Sequence, residues 1–302
     1  MRRTKTRRVS EPVVAITEGP DHAQALSNAL DLLPLDRVFR AGDVVLVKPN
    51  LVTAAGPDSG IVTRPSTLRT VLRRIKQTSP GRLVVVEGSG GSTTPETLRA
   101  SGLDQVIAEE EVEHVDLNTG PYVDLPLEGD VFPSIKVNRI VESADVLVSL
   151  AVLKAHLMAT VTLGLKNVAV GFASAEFHGH PKGRLGLHDH LHTYIAAMGR
   201  ALPIDLSIIS AETAMIGTGP TLGKVVRTDL VLAGTDPLAT DIVGAGLLGF
   251  RYHAVQYLDL ARRQGQGEAD LNRVSFPGLP YEAACRLFTA RAYGKEFCVA
   301  PS

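Results

Sequence analysis

Residues 43–50 read DVVLVKPN, and this short run decides the fold. Val44–Val47 is a nearly continuous β-branched segment, the pattern of a strand buried on both faces. Pro49-Asn50 then forces the chain out of the sheet, leaving Lys48 and Asn50 at the strand's end. A loop, TAAGPDSGIV at 53–62, follows. Pro65 stands where a first helical residue belongs, with Leu68, Val71, Leu72 and Ile75 at helical spacing behind it. The same unit recurs at once. Leu83–Val86 is a second buried strand, running into Glu87 and GSGGS at 88–92, and Thr94-Pro95-Glu96 then opens a helix with a cap, a proline and an acid. Two strand–loop–helix units in succession predict an α/β fold with a largely parallel open sheet and helices on both faces.

Outward from this pair, Pro12–Thr17 is a short apolar strand and Asp21–Leu33 a helix with Ala23, Leu26, Leu30 and Leu33 in register. Residues 118–134, rich in Gly, Pro and acids, form a long excursion. Ala144–Leu150 is the next strand. Asp205–Ser210 and Asp229–Ala233 are strand-like, and Thr235-Asp236-Pro237 opens another helix. The expected organisation is a flexible basic tail at 1–10, one α/β domain at 11–264, and a peripheral C-terminal extension at 265–302, where the pattern weakens.

Bulk properties narrow the function. The chain has 302 residues, 44% hydrophobic and 21% charged, enough for a sizeable core. A net charge of −1 removes the general argument for nucleic-acid binding. Cys285 and Cys298 are too few for an iron–sulfur cluster, which needs about four thiols, and they suit a reducing compartment. No apolar run approaches the ~18 residues of a membrane helix. The basic start, MRRTKTRR, lacks the apolar segment of a signal peptide. The expected setting is cytoplasmic, with no membrane or nucleic-acid partner; a homo-oligomer is open.

In a parallel sheet, ligands sit beyond the carboxyl ends of the strands. The chemistry-bearing residues here follow strands: Lys48 and Asn50, Glu87 with Gly88-Ser89-Gly90-Gly91, Lys154 and His156, Glu212, and Asp236. All are expected on one rim. The glycine loop is a candidate anion cradle of backbone N–H groups, with an ordinary tight turn as the alternative. Leu153–His192 holds six of the nine histidines. If LKAHLMATVTLGLKN is helical, His156, Thr160 and Asn167 share one face, with Lys166 beside them. His188 and His192 are one helical turn apart, a spacing that suits a divalent metal, with Glu212 and Asp236 as further candidate ligands. Lys224 ends a Gly/Pro turn, TGPTLGK. Asp241 sits early in an apolar helix and needs a cation or a donor to face.

KPNLV at 48–52, GIVTRPS at 60–66, VVEGSGG at 85–91, LKAHLMATVTLGLKN at 153–167, GTGPTLG at 217–223 and AGTDPLATD at 233–241 come in an order that resembles the DUF362 family. The resemblance implies a prokaryotic, mainly cytoplasmic protein and assigns no reaction. Some members carry an appended ferredoxin-like domain, which this chain lacks, and similar sequences often have Asp at the position of Glu212. It groups Lys48, Asn50, Glu87, His156, Lys166, Asn167 and Asp236 in one site.

Together these readings favour an enzyme acting on a small anionic metabolite, carboxylate or phosphate, by acid–base or metal-assisted chemistry. His156, Lys166 and Glu87 are the expected catalytic groups. Lys48, Asn50, Gly88–Gly91, Lys154, Thr160, Asn167 and Lys224 are the expected binding groups. A non-catalytic anion- or metal-binding protein is the alternative, and a metal-dependent oxidoreductase the third.

Overall fold

A computed structural model describes residues 6–129 and 131–299. The first half runs β1 (Val14–Glu18), α1 (His22–Asp31), α2 (Leu35–Val38), β2 (Val44–Pro49), α3 (Pro65–Lys76), β3 (Arg82–Glu87), α4 (Thr94–Ser101), α5 (Leu103–Glu109) and β4 (Glu113–Asp116). The excursion forms its own two-stranded antiparallel ribbon, β5 (Tyr122–Pro126) and β6 (Ser134–Asn138). The second half runs β7 (Val146–His156), β8 (Thr160–Thr162), α6 (Gly164–Phe172), α7 (Ala175–His178), α8 (Leu191–Ala201), β9 (Leu206–Ile216), β10 (Lys224–Gly234), α9 (Pro237–Leu247), α10 (Gln256–Arg263) and α11 (Tyr281–Tyr293).

The main sheet has eight strands in the order β1-β10-β9-β7-β2-β3-β4, with β8 hydrogen-bonded to β7. β4, β3, β2, β7 and β9 are mutually parallel. The α/β, largely parallel reading therefore holds. Period-two alternation sorts the strand residues between two apolar layers. Leu46, Val84, Val86 and Leu147 pack with residues of α6, α8 and α9. Val45, Val47, Val85, Val146 and Val148 pack with residues of α1, α3 and α5 on the other face. Each fully buried side chain of this kind contributes about 1.5–3 kcal/mol.

The topology fixes where a ligand goes. From β2 the chain proceeds outward through β3 to β4; from β7 it proceeds the opposite way, through β9 to β10. The carboxyl ends of β2 and β7 thus flank a switch point, where the outgoing connections part and leave a crevice.

Several expectations are corrected here. β10 is antiparallel to β9, so Asp236, which follows β10, lies at the opposite rim from Lys48 and Glu87. It caps α9 by accepting from Ala239 N at 3.0 Å, accepts from Glu268 N at 3.1 Å, and pairs with Arg7 at 3.0 Å. Residues 153–167 are not one helix. β7 runs through to His156 and pairs antiparallel with β8, setting His156 directly opposite Thr160. The β-branched Thr160-Val161-Thr162 favours that ladder over a helix. Helix α6 begins only at Gly164, where buried Asp241 accepts from Gly164 N at 2.8 Å and Leu165 N at 3.0 Å. Asp241 thus faces donors, as its place in an apolar helix required.

The α4 cap is Thr93, one residue before the expected Thr94, in a reciprocal capping box with Glu96. The C-terminal segment is not peripheral: Tyr281, Ala284, Cys285 and Phe288 of α11 are buried in the main core, and Ser275 and Gly278 bridge to Val13 and Ile16. Residues 1–5 of the expected tail lie outside the described residues. Within the rest of it, Arg8 pairs with Asp43 at 2.5 Å and Val9 is buried.

Candidate functional site

At the switch point lies a cavity of about 350 Å³. Lys48 and Asn50 reach it from the end of β2, Gly88, Gly90 and Gly91 from the loop after β3, and His156 from the end of β7. Lys166 and Asn167 come from α6, Lys182 and His188 from the loop before α8, and Thr218–Leu222 from the turn between β9 and β10. Sequence alone placed Lys48, Asn50, the glycines, His156, Lys166, Asn167 and His188 among candidate residues, and the fold brings these together.

The floor is a buried polar network. Lys48 Nζ donates to Pro49 O at 2.7 Å, to the Glu87 carboxylate at 2.9 Å and to Asn167 Oδ1 at 3.1 Å. Asn167 Nδ2 donates to Lys48 O and Ser149 Oγ, and Asn50 Nδ2 donates to Asn167 Oδ1. Burial pushes the Lys48 ammonium down and the Glu87 carboxyl up. Four oxygens around one nitrogen nonetheless call for the charged ammonium, and the ion pair is the form that satisfies them. Glu87 is therefore the counter-ion of Lys48, a positioning group beneath the cavity that does not line it. Gly88 and Gly171 serve packing: a Cβ at Gly171 would stand 1.9 Å from Lys48 Cε, and one at Gly88 would stand 2.6 Å from Gly171 O.

Three of the four N–H groups of the Gly88–Gly91 loop are engaged within the protein. Gly88 N donates to Glu87 Oε1, Ser89 N to Thr94 Oγ1 and Gly91 N to Val52 O. The Gly90 N–H, at the cavity lining, bonds to no protein group among the described residues and is left as the loop's candidate anion donor. Ser89 is buried, with its hydroxyl on Val52 O.

The lysines divide by partner. Lys182 Nζ is held by three carbonyls, Gly88 O at 2.6 Å, Gly171 O at 3.1 Å and Val170 O at 3.2 Å. Burial lowers its pKa to about 7. Lys154 is buried outside the cavity lining, on Ile61 O at 2.5 Å, and burial depresses it strongly. Lys166 is 9% exposed, lines the cavity, and bonds to no protein group among the described residues. Burial, with the Lys48 charge second, lowers its pKa to about 8. Among the described residues lining the cavity there is no carboxylate. An ammonium so placed lacks its counter-charge, and the site favours an anion.

The histidines separate as well. His156 Nδ1 accepts from Met158 N and Ala159 N, both at 3.1 Å, closing the β7–β8 turn. That fixes the proton on Nε2. Burial, then Lys166 and Lys154, push its pKa down to about 2. His156 is thus a neutral N–H donor, and the expectation of a general acid–base group titrating near neutrality is corrected. His188 lies before α8, not on it, and lines the cavity; burial and then Lys166 lower its pKa. His192 has both nitrogens engaged, Nδ1 by Tyr257 N and Nε2 by Met158 O, each at 3.2 Å. The pair therefore does not converge on a metal, and among the described residues no group of three or more His, Cys, Asp or Glu is placed to hold one.

Glu212 is engaged by Arg64 at 2.9 Å and does not line the cavity. Thr160 and the exposed Lys224 also stand outside it. Sequence reading missed Lys182 and Thr162 as lining residues. Lys182 lies in HPKGR, where a lysine between a proline and a glycine reads as solvent-facing.

Residues 45–246 match the family model described as a domain of unknown function, DUF362. The chain belongs to this family. A thylakoid-associated protein of Synechocystis sp. is 26% identical over 215 residues, covering 69% of this chain and 64% of that protein. Lactate racemase of Lactiplantibacillus plantarum is 28% identical over 169 residues, covering 49% of this chain and 39% of that protein. The chain thus spans less than two thirds of the length of either relative. The lactate racemase apoprotein structure from Thermoanaerobacterium thermosaccharolyticum aligns over 74% of this chain and 54% of that one, at 18% identity and a TM-score of 0.43. Among the described residues no helix is long and apolar enough to cross a membrane.

Proposed function

We propose that this DUF362 chain is an enzyme that binds a small carboxylate-bearing metabolite at Lys166 and moves a proton on it. The observation that carries this reading is the Lys166 ammonium, nearly buried in a cavity without a lining carboxylate and without a protein partner. The Lys48 and Lys182 charges add to the positive field, but their nitrogens are already surrounded by oxygens. The similarity to lactate racemase, named for a small carboxylate, agrees with that ligand class.

In this reading Lys166 pairs with the ligand carboxylate. The His156 Nε2–H donates to an oxygen on which negative charge develops, a task suited to an imidazole that stays neutral. His188, kept neutral by burial and by Lys166, accepts the proton.

The test is proton exchange in D2O. Short 2-hydroxy and 2-unsubstituted carboxylates are incubated with the protein, and loss of the signal from the proton beside the carboxylate is followed by NMR. Exchange that disappears in His188→Gln, while ligand still binds, supports the enzyme. Saturable binding with no exchange for any ligand favours the non-catalytic anion-binding alternative.

A further inference from the structure

The mouth of the cavity carries three large exposed apolar side chains beside the exposed Thr218 and Thr221. Leu157 is 78% exposed, Met158 48% and Leu222 84%, and all three line the cavity. They stand on the β7–β8 turn and the β9–β10 turn, which are tied together by Leu157 N donating to Gly219 O at 2.9 Å. Leu51, Val52, Val170 and Pro220 continue the apolar wall inward, and the exposed Pro181 also lines it. The polar groups lie at the buried end: Lys48, Asn167 and Lys182 are 1–3% exposed and Lys166 is 9%. A burial gradient therefore runs from a cationic floor to an apolar rim.

A three-carbon acid leaves most of this space unfilled. About 350 Å³ corresponds to roughly a dozen water volumes of about 30 Å³ each, whereas such an acid has about six non-hydrogen atoms and suits the low end of ligand pockets poorly. Large apolar side chains clustered in the open mark a contact surface. Because this cluster is continuous with the cavity wall, its occupant is the outer part of whatever the floor holds.

We propose that the ligand is amphipathic: a carboxylate head on Lys166 and an apolar tail that leaves between Leu157, Met158 and Leu222. This rests on the carboxylate reading above and adds the substrate class. The rim then selects for tail length and the floor for charge.

The test is a calorimetric series of straight-chain carboxylates of about three, six, eight and ten carbons, each below its micelle concentration. Affinity is expected to rise about three- to four-fold per added methylene until the tail clears the rim. In Leu157→Ser/Leu222→Ser, and separately in Met158→Ser, the ratio of eight-carbon to three-carbon affinity should collapse while the melting temperature holds. Lys166→Met should weaken short and long acids by a similar factor. Equal affinity at all lengths overturns the tail and leaves the carboxylate reading standing. No binding at any length overturns that reading, and this inference with it. A flat series, with self-association or phosphatidylcholine vesicle binding lost in the serine variants, reassigns the rim to protein or membrane docking and also overturns the tail.

Discussion

His156 has two jobs that one substitution confounds and a second separates. Its Nδ1 terminates two backbone N–H groups of the β7–β8 turn, and its Nε2–H is the ring's remaining polar group. His156→Ala should cost about 1–2 kcal/mol in urea unfolding, from the lost turn acceptors. His156→Asn places an amide oxygen where Nδ1 stood, so it should keep most of that stability while losing the donor and the activity. Equal stability loss in both variants would contradict this division. Residue types in the site were legible because polar groups after buried strands are hard to explain otherwise. Partners were not: nothing in the spacing of Lys48, Lys166 and Lys182 says which nitrogen is surrounded by oxygens and which is open.

At the scale of elements, α6 depends on a carboxylate from another helix. Asp241 accepts the first two N–H groups of α6, and burial raises its pKa to about 7. An acid raised in the folded state contributes fully below its unfolded pKa of about 4 and loses that contribution as pH rises toward 7. Asp241→Asn keeps an acceptor without the charge. Its stability relative to the native chain should improve between about pH 4 and pH 7, on the order of a few kcal/mol. A constant difference across that range would show that the carboxylate stays ionised in the fold. The sequence signalled an unexplained acid at 241 but not its target, since α6 was hidden in a stretch read as one long helix. Helical spacing of His156, Thr160 and Asn167 was coincidental; the β-branched run at 160–162 was the better guide.

At the scale of the whole molecule, the main sheet lies between two apolar layers, with a crevice where its connections diverge. The buried runs at 44–47 and 83–86 made the parallel core legible. The antiparallel course of β10 was not, because the Gly/Pro composition of 217–223 signals a turn without fixing the direction of the strand that follows it. The C-terminal segment was misjudged for a related reason. Its helix α11 has a mixed pattern, yet buries Cys285 and Phe288 against the core. A chain ending at residue 264 should therefore fail to fold cooperatively, with loss of a sharp thermal transition. A sharp transition near the full-length value would mean that the segment is dispensable.

The claim on which the functional reading stands is that Lys166 is an open ammonium awaiting a carboxylate. The direct measurement is calorimetric affinity for a carboxylate between about pH 6 and pH 10, in the native chain and in Lys166→Met. Because the free-site pKa is about 8, binding should be strongest below that pH, weaken as the ammonium deprotonates above it, and be accompanied by proton uptake near it. Lys166→Met should reduce affinity roughly ten- to a hundred-fold at low pH, the worth of a charged hydrogen bond, and should remove the pH dependence around 8. Undiminished binding in Lys166→Met, or affinity that does not fall as pH passes 8, would contradict it.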